Sequence, residues 1–144
     1  MAARSFTLGP VGRPSSRRCA AAVDLPYART LIERSVLLDS KLKGGRGLMI
    51  LGMIDCRIPK LMGGDPKQGM ASLDRALELT KRQSYGLLVQ QAESCAVALE
   101  DRAMFLRLLQ ETLDGRDVEE YRLENKLAQA KARRLLRQVG ELFY

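Results

Sequence analysis

The chain has 144 residues, with 24 lysines and arginines against 17 aspartates and glutamates, no histidine and a formal net charge of +7. This length suits one compact domain, and the abundance of Ala, Leu, Arg, Lys and Glu favours an all-helical fold. Without histidine the chain lacks the commonest general base and metal ligand near neutral pH. We therefore expect a protein that is not an enzyme and needs no cofactor or metal.

The first 23 residues form a basic segment that we predict to be a disordered arm, followed by a folded domain over residues 24–144. Gly, Pro and Ser are frequent in this arm, and its only charged side chains are Arg4, Arg13, Arg17 and Arg18. Such an arm can bind nucleic acid or an anionic membrane. No aromatic residues alternate with its charges for base stacking, and the rest of the chain has no basic stripe, so nucleic-acid binding is not expected.

No export or membrane signal is evident in the sequence. The apolar stretch Cys19–Val23 is shorter than the core of a signal peptide. The residues before Cys19 are Ser and Arg, unlike the small and aliphatic residues that precede a lipid-modified cysteine. No apolar run approaches the length of a transmembrane helix. On this ground alone, we expect either that the protein does not leave the cytoplasm or that the sequence is a truncated or mispredicted product.

Helical periodicity then continues to the end of the chain. A first helix is predicted from Asp24, as its cap, to Leu38, and Lys43–Gly45 interrupts the pattern. Further helices are predicted within Leu48–Leu79, Tyr85–Ala98, Asp101–Leu113 and Glu119–Phe143. Ser84 and Asp101 stand at positions suited to helix caps. About six helices with short connections predict a tetratricopeptide-like stack, an α-solenoid.

The segment Leu48–Leu79 has the pattern of one tetratricopeptide hairpin. Gly52 and Gly69 are predicted where two helix backbones cross closely, and Asp65 followed by Pro66 is typical of a helix start. The turn between the helices is longer than usual, because Cys56–Gly63 is inserted there. A generic helical hairpin remains an equal alternative on spacing alone.

The three cysteines, Cys19, Cys56 and Cys95, are far apart and form no CxxC motif. A zinc site or a thioredoxin-like motif therefore has no support. Cys56 and Cys95 fall within helical patterns, and we predict them to be small buried apolar residues.

Four motifs, in order over about two-thirds of the chain, resemble the TatT component family of tripartite ATP-independent periplasmic (TRAP) transporters. The enlarged turn is similar to the family's Met/Leu-Gly-Gly-Asp-Pro corner, and the next run to its Phe-Glu-Arg-Ala-Leu/Ile-Glu-Leu. The later two resemble its Gln-Asp-Arg-x-x-Phe-x-x-Leu-Leu segment and its closing Leu-Ala-Asn to Glu-Leu-Phe pattern. The matching stretches are Leu61–Pro66, Leu73–Leu79, Asp101–Leu109 and Leu123–Phe143.

The resemblance implies a tetratricopeptide-like (TPR), non-catalytic protein of the periplasm. Its implied partner is the periplasmic solute-binding component of a TRAP transporter, and its implied ligand is small and hydrophobic or carboxylate-bearing. A homotrimer whose protomers each hold an apolar cavity is also implied. The family's paired aromatic is replaced by Ser94-Cys95, and its Trp in the final helix is replaced by Arg134. If those aromatics line the cavity, it is smaller or more polar here.

Ten residues are candidates for binding a ligand or partner, and each has a structural alternative. The turn could contact the ligand through Gly63, Gly64 and Asp65, or these residues could only shape the turn. A partner could contact Asp101 and Arg102, or these two residues could only cap a helix and form an ion pair. Asn125 could line a cavity or form an internal hydrogen bond, and Arg133 could pair with a carboxylate or be solvated. The remaining candidates are cavity liners or core residues: Met49, Met53 and Tyr85.

Two other functions remain open. The first is a cytoplasmic tetratricopeptide-like adaptor that binds an amphipathic peptide of a partner protein in its groove. The second is an enzyme that uses Glu93 and Asp101, for which no motif argues.

Overall fold

The computed structural model describes residues 16–143, with side chains from residue 24 onward. Within these residues the structure contains helices and no strands, which confirms the all-α prediction. The seven α-helices of this part are α1 Ser16–Leu38, α2 Arg46–Arg57, α3 Pro66–Leu79, α4 Tyr85–Gln91, α5 Arg102–Asp114, α6 Arg122–Arg137 and α7 Val139–Leu142. The solenoid stacking and the domain division at residue 24 stay predictions.

The first helix differs from its prediction at the N-terminus. It begins at Ser16 rather than at Asp24, and Pro26 lies inside it. Asp24 followed by Pro26 resembles a helix start, but the alanines just before it are strong helix formers and extend the helix. Residues 1–15 of the predicted arm lie outside the described residues.

Helices α2 and α3 form the predicted hairpin, and its two glycines lie at the predicted close crossing. A Cβ on Gly52 would lie 2.7 Å from the Gly69 carbonyl oxygen, and a Cβ on Gly69 would lie 2.7 Å from that of Gly52. The Asp65 carboxylate accepts hydrogen bonds from the Lys67 and Gln68 backbone N–H groups at 3.0 and 3.3 Å. Both sequence predictions, the crossing and the cap, are confirmed.

The core lies where α3, α4, α5 and α6 meet. Its largest side chains with less than 2% exposure include Phe105, Leu73, Leu77, Leu88 and Leu109. The five residues after α4, Ala92–Ala96, form a π-helical segment, which is commonly found at functional or strained positions. This segment packs against α2 and α5 and therefore joins the hairpin to the C-terminal helices.

Cys56 and Cys95 form a disulfide, so their prediction as separate apolar residues is wrong. Both side chains are buried, as predicted, but they face each other with their Cα atoms 4.9 Å apart. Sequence spacing could not show this, because the two cysteines are 39 residues apart and meet only when α2 packs on the π-helical segment.

The predicted last helix, Glu119–Phe143, is divided into three pieces. It starts as a 3₁₀ turn over Glu119–Tyr121, continues as α6, and resumes after Gln138 as the short helix α7. Gly140 weakens the helix near this break. The change of direction brings the Phe143 ring to 5.1 Å from that of Phe105 in an edge-on arrangement, which is favourable for aromatic pairs.

Candidate functional site

A cleft of 370 Å³ opens between the start of α2, the start of α4 and the 3₁₀ turn before α6. Its size falls within the range of small-molecule sites. The positively charged side chains come from the loop before α2 and its first turn, and the negatively charged ones from the 3₁₀ turn and the first turn of α6. The lining residues are Lys43, Gly44, Arg46, Met49, Thr80, Ser84, Leu87, Glu120, Tyr121 and Glu124.

The Asn125 side chain fixes the position of α4 beside this cleft. Its Oδ1 accepts a hydrogen bond of 2.9 Å from the Tyr85 backbone N–H, and its Nδ2 donates one of 2.8 Å to the Gln83 carbonyl. Asn125 is buried, so this fully used amide carries the internal hydrogen bonds that the sequence analysis weighed against a cavity role.

Ser84 stands at the cap position of α4, but its hydroxyl forms no capping hydrogen bond. The Asn125 amide has taken the Tyr85 N–H that starts this helix. Ser84 is only 8% exposed as a residue, but it lines the cleft, where its hydroxyl can be reached by solvent or by a ligand.

Charges of both signs face the cleft. Lys43, Arg46, Glu120 and Glu124 all line it, and all four side chains are exposed. None of the four forms an ion pair within the described residues, although five ion pairs are present elsewhere in that part. Burial, followed by the nearby carboxylates of Glu120 and Glu124, raises the pKa of Tyr121, which therefore stays a neutral hydroxyl at neutral pH. The cleft can thus attract an anion and a cation at once.

A second notable surface is an exposed apolar row on α1, which packs only against α2 within the described part of the chain. Leu31 is 54% exposed and Leu38 is 74% exposed, and helical spacing places them on one side of α1 with Tyr27. Leu42 is exposed in the turn that follows the helix. We call Tyr27, Leu31, Leu38 and Leu42 the α1 stripe. An apolar groove of 280 Å³, which includes Ile32 and Ile50, runs beside it between α1 and α2. Grouped apolar exposure of this kind marks interaction surfaces.

Arg29 attaches α1 to the rest of the fold. Its Nη1 lies 2.7 Å from Oδ1 of the buried Asp55 and donates a hydrogen bond of 3.3 Å to the Gly63 carbonyl. Burial raises the pKa of Asp55, and the Arg29 charge opposes that rise without cancelling it.

A third group of charges surrounds the π-helical segment. The Glu93 carboxylate lies 2.6 Å from Lys131 Nζ and 3.4 Å from Arg57 Nη2, and Arg57 Nε also donates to the Ser94 hydroxyl at 3.2 Å. Glu93 therefore has a structural role between α2 and α6. Asp101, its supposed partner in an enzyme, instead caps α5 by accepting from the Met104 N–H at 2.8 Å.

The structure separates the ten candidate residues. Met49 lines the cleft, and Tyr85 and Asn125 lie next to it; the Tyr85 hydroxyl donates to the Arg116 carbonyl at 2.8 Å. Met53 is half-buried on α2, and Arg133 is exposed on α6. The remaining candidates form two groups outside the cleft, one at the hairpin corner and one at the start of α5: Gly63, Gly64 and Asp65, and Asp101 and Arg102.

The corner glycines shape the chain. Gly63 has a φ of 88°, a value that favours glycine, and a Cβ on the buried Gly64 would collide with the Ile58 carbonyl. Arg102 borders a separate pocket with Glu100, Leu142 and Phe143.

Sequence reasoning missed most of the cleft. Lys43 and Gly44 were interpreted only as a helix break, and Glu120 and Tyr121 only as the start of the last helix. Their sequence signal is weak, because glycine-flanked lysines and surface glutamates are common. What makes them a site is the approach of three chain segments far apart in sequence.

Within the described residues, no group of three or more His, Cys, Asp or Glu side chains could hold a metal ion. None of the helices in that part combines the length and the apolar character needed to cross a membrane.

The family model of the TRAP transporter T-component matches residues 14–143. No curated protein matches the chain.

Proposed function

The chain belongs to the TRAP transporter T-component family, and from this premise we propose that it acts outside the cytoplasm as a non-catalytic partner of the transporter's solute-binding component. The family is a non-enzymatic, transport-associated one. Association with a TRAP transporter follows from membership. The proposal adds the compartment, the partner and the surfaces used.

The observation that supports a location outside the cytoplasm is the Cys56–Cys95 disulfide. Disulfides persist in oxidising compartments such as the bacterial periplasm, and the cytosol keeps most thiols reduced. Both sulfur atoms are buried inside the domain, so this bond belongs to the packing of α2 on the π-helical segment. It favours a periplasmic protein over the cytoplasmic adaptor that the sequence analysis left open.

We assign the α1 stripe to the solute-binding component. The stripe is apolar and exposed, and it lies on a helix that packs only against α2 within the described residues. An interface of this kind needs a central apolar patch with a polar rim, and Arg34 and Glu33 are exposed beside the stripe.

We assign the cleft to a small ligand with a carboxylate. Lys43 and Arg46 supply the positive charge, and the Ser84 hydroxyl supplies a hydrogen bond.

Cell fractionation with thiol trapping tests the proposed compartment. In native cells, the full-length protein should fractionate with the periplasm or the outer membrane. After denaturation, Cys56 and Cys95 should react with a maleimide only if the protein has first been reduced. A protein in the cytoplasmic fraction whose three cysteines all react before reduction would favour the adaptor and overturn this proposal.

A further inference from the structure

We propose that the corner of the α2–α3 hairpin contacts an anionic phospholipid surface, with Leu61 and Met62 inserted among the lipids and two lysines at their headgroups. The contacting residues are the 3₁₀ turn Lys60–Met62, which we call the corner tip, and Lys67 in the first turn of α3. Neither the solute-binding component nor the cleft enters this inference, which goes beyond the proposed function.

Two large apolar side chains stand next to each other in solvent at the corner tip. Leu61 is completely exposed and Met62 is 65% exposed, so neighbouring residues cover none of the first and little of the second. Ile58, just before the turn, is by contrast partly covered. An exposed leucine gains no free energy from burial. Its complete exposure means that the side chain projects beyond the surface around it, where a bilayer could bury it.

The backbone holds the corner tip in one closed turn. The Met62 N–H donates to the Pro59 carbonyl at 2.9 Å, and the Gly63 N–H donates to the Lys60 carbonyl at 3.0 Å. Arg29 of α1 donates to the Gly63 carbonyl at 3.3 Å and ties the turn to a second helix. A contact surface that is already ordered loses less conformational entropy when it binds.

The charges at this end of the hairpin favour an anionic surface. Lys60 and Lys67 are exposed, and neither forms an ion pair within the described residues. Asp65 is the only acidic residue from 57 to 68, and its carboxylate already accepts two N–H groups at the start of α3. Each basic side chain close to an anionic leaflet adds to the affinity for it.

A membrane fits the corner tip better than a protein partner does. Protein interfaces are depleted of lysine, and they usually bury about 800 Å² on each partner between surfaces of matching shape. A projecting tip with two apolar side chains beside lysines offers little area of that kind. At a bilayer the same combination is favourable, because the apolar side chains enter the acyl boundary while the lysine stems reach back to the headgroups.

Tryptophan fluorescence tests insertion directly, because the chain has no tryptophan of its own. Leu61→Trp places a reporter at the corner tip, and Leu123→Trp places a control reporter at an exposed position of α6. The vesicles contain phosphatidylglycerol and phosphatidylethanolamine at low salt. We expect the emission of Leu61→Trp to shift to shorter wavelength and to be quenched by lipids brominated on their acyl chains. Leu123→Trp should show neither change.

Vesicle co-sedimentation of the full-length protein measures the apolar contribution. The double variant Leu61→Ser, Met62→Ser should weaken binding to the anionic vesicles by at least about tenfold. Leu123→Ser, Leu127→Ser is the matched control, because these two leucines are also exposed but lie on α6. The arginines of residues 1–23 are the same in every variant, so any attraction that they add is common to all.

The same assay measures the charge contribution. Lys60→Gln, Lys67→Gln should weaken binding to the anionic vesicles by at least about tenfold, and vesicles of neutral phosphatidylcholine should bind the unchanged protein no better than they bind this variant. Lys41→Gln, Lys126→Gln removes two exposed lysines elsewhere in the fold and should bind as the unchanged protein does.

Three outcomes would overturn the inference. The first is that the unchanged protein does not sediment with anionic vesicles at low salt. The second is that it sediments while the emission of Leu61→Trp stays constant, which would assign the lipid contact to another part of the chain. The third is that Leu61→Ser, Met62→Ser keeps its vesicle binding but loses the solute-binding component, which would make the corner tip a protein contact. Failure of the proposed compartment or partner would appear in other assays, namely fractionation and binding to the solute-binding component.

Discussion

At the residue scale, the ion pair of Arg29 with Asp55 shows how one side chain positions a helix. Asp55 is buried with its carboxylate against Arg29, whose side chain is 31% exposed. The net rise in the pKa of Asp55 means that burial outweighs the attraction of Arg29. The pair therefore fixes the place of α1 more than it stabilises the fold.

Replacing Arg29 should lower the free energy of unfolding by an amount that depends on pH. Arg29→Gln leaves Asp55 buried without its counter-charge, and we expect the free energy of unfolding at pH 7 to fall by about 1–3 kcal/mol. The pKa of Asp55 would rise further, so the folded variant would bind a proton that the unfolded chain, with its ordinary value of 3.8, has already lost. The loss should therefore shrink as the pH falls towards that value.

Urea unfolding at pH 7 and pH 5 measures this effect. Arg34→Gln, on the exposed side of the same helix, is the control and should change the unfolding free energy by less than about 0.5 kcal/mol. An Arg29→Gln effect that is equal at both pH values would show that Asp55 does not respond to Arg29.

The glycines at the hairpin crossing permit a second residue-scale prediction. Gly52→Ala places a Cβ 2.7 Å from the Gly69 oxygen and from Leu73 Cγ, so we expect a loss of about 1–3 kcal/mol from overpacking. Gly86→Ala is the control, because its Cβ would meet only the Ser84 hydroxyl at 4.0 Å and the better helix former should gain up to about 1 kcal/mol. Thermal unfolding of both variants compares their stabilities. A Gly52→Ala variant as stable as the unchanged protein would contradict the close crossing of α2 and α3.

At the residue scale, the sequence predicted a side chain's role correctly where a short local pattern has only one physical explanation. The Asp65 cap and the Asp101 cap are of this kind, since an acid just before a helix has free N–H groups within reach. Ser84 shows the limit. It stands at a cap position, but the Asn125 amide, 41 residues later, takes over the start of α4. No local pattern carries that information.

At the element scale, the disulfide and the π-helical segment connect the hairpin to the C-terminal helices. The segment Ala92–Ala96 carries Cys95 inward to Cys56 and Glu93 outward to Lys131 and Arg57. The π-helical segment thus carries both the disulfide to α2 and the Glu93 ion pairs to α2 and α6.

The disulfide should contribute strongly to stability. Reduction, or the double change Cys56→Ser and Cys95→Ser, should lower the free energy of unfolding by about 2–4 kcal/mol, because it frees a loop of 39 residues in the unfolded chain. Urea titration with and without reductant measures the loss. Cys19→Ser, outside this bond, is the control and should leave the midpoint unchanged. A reductant that has no effect on the unchanged protein would contradict the bond.

Helix existence was predictable at this scale, but two helix ends were not. The periodic apolar positions predicted each major helix correctly. The start of α1 was not predicted, because the proline inside this helix resembles the first residue of a helix. The break between α6 and α7 was not predicted, because the contact between the Phe143 and Phe105 rings is a tertiary interaction. The disulfide escaped for the same reason.

At the scale of the whole molecule, the described chain has a well-packed centre and one sparsely packed end. Helices α3 to α6 share the core, whereas α1 packs only on α2 and exposes the α1 stripe. Family membership and the closing motifs were predictable from sequence, since four spaced motifs carry them. The α1 stripe was not predictable from the sequence, because the helical spacing of its leucines is equally typical of residues buried in a core.

The interaction with the solute-binding component of the same transporter tests the central claim most directly. It should be measured by calorimetry or biosensor with the purified, oxidised full-length protein. The double variant Leu31→Glu, Leu38→Glu places two charges in the α1 stripe and should weaken binding by at least about tenfold. Leu123→Glu, Leu127→Glu is the matched control, because these leucines are 73% and 64% exposed on α6, outside the stripe.

The account predicts saturable binding by the unchanged protein, preserved in the α6 double variant and lost in the α1 double variant. Absence of binding by the unchanged, oxidised protein would contradict the proposed partner, and equal binding by both double variants would contradict the assigned surface.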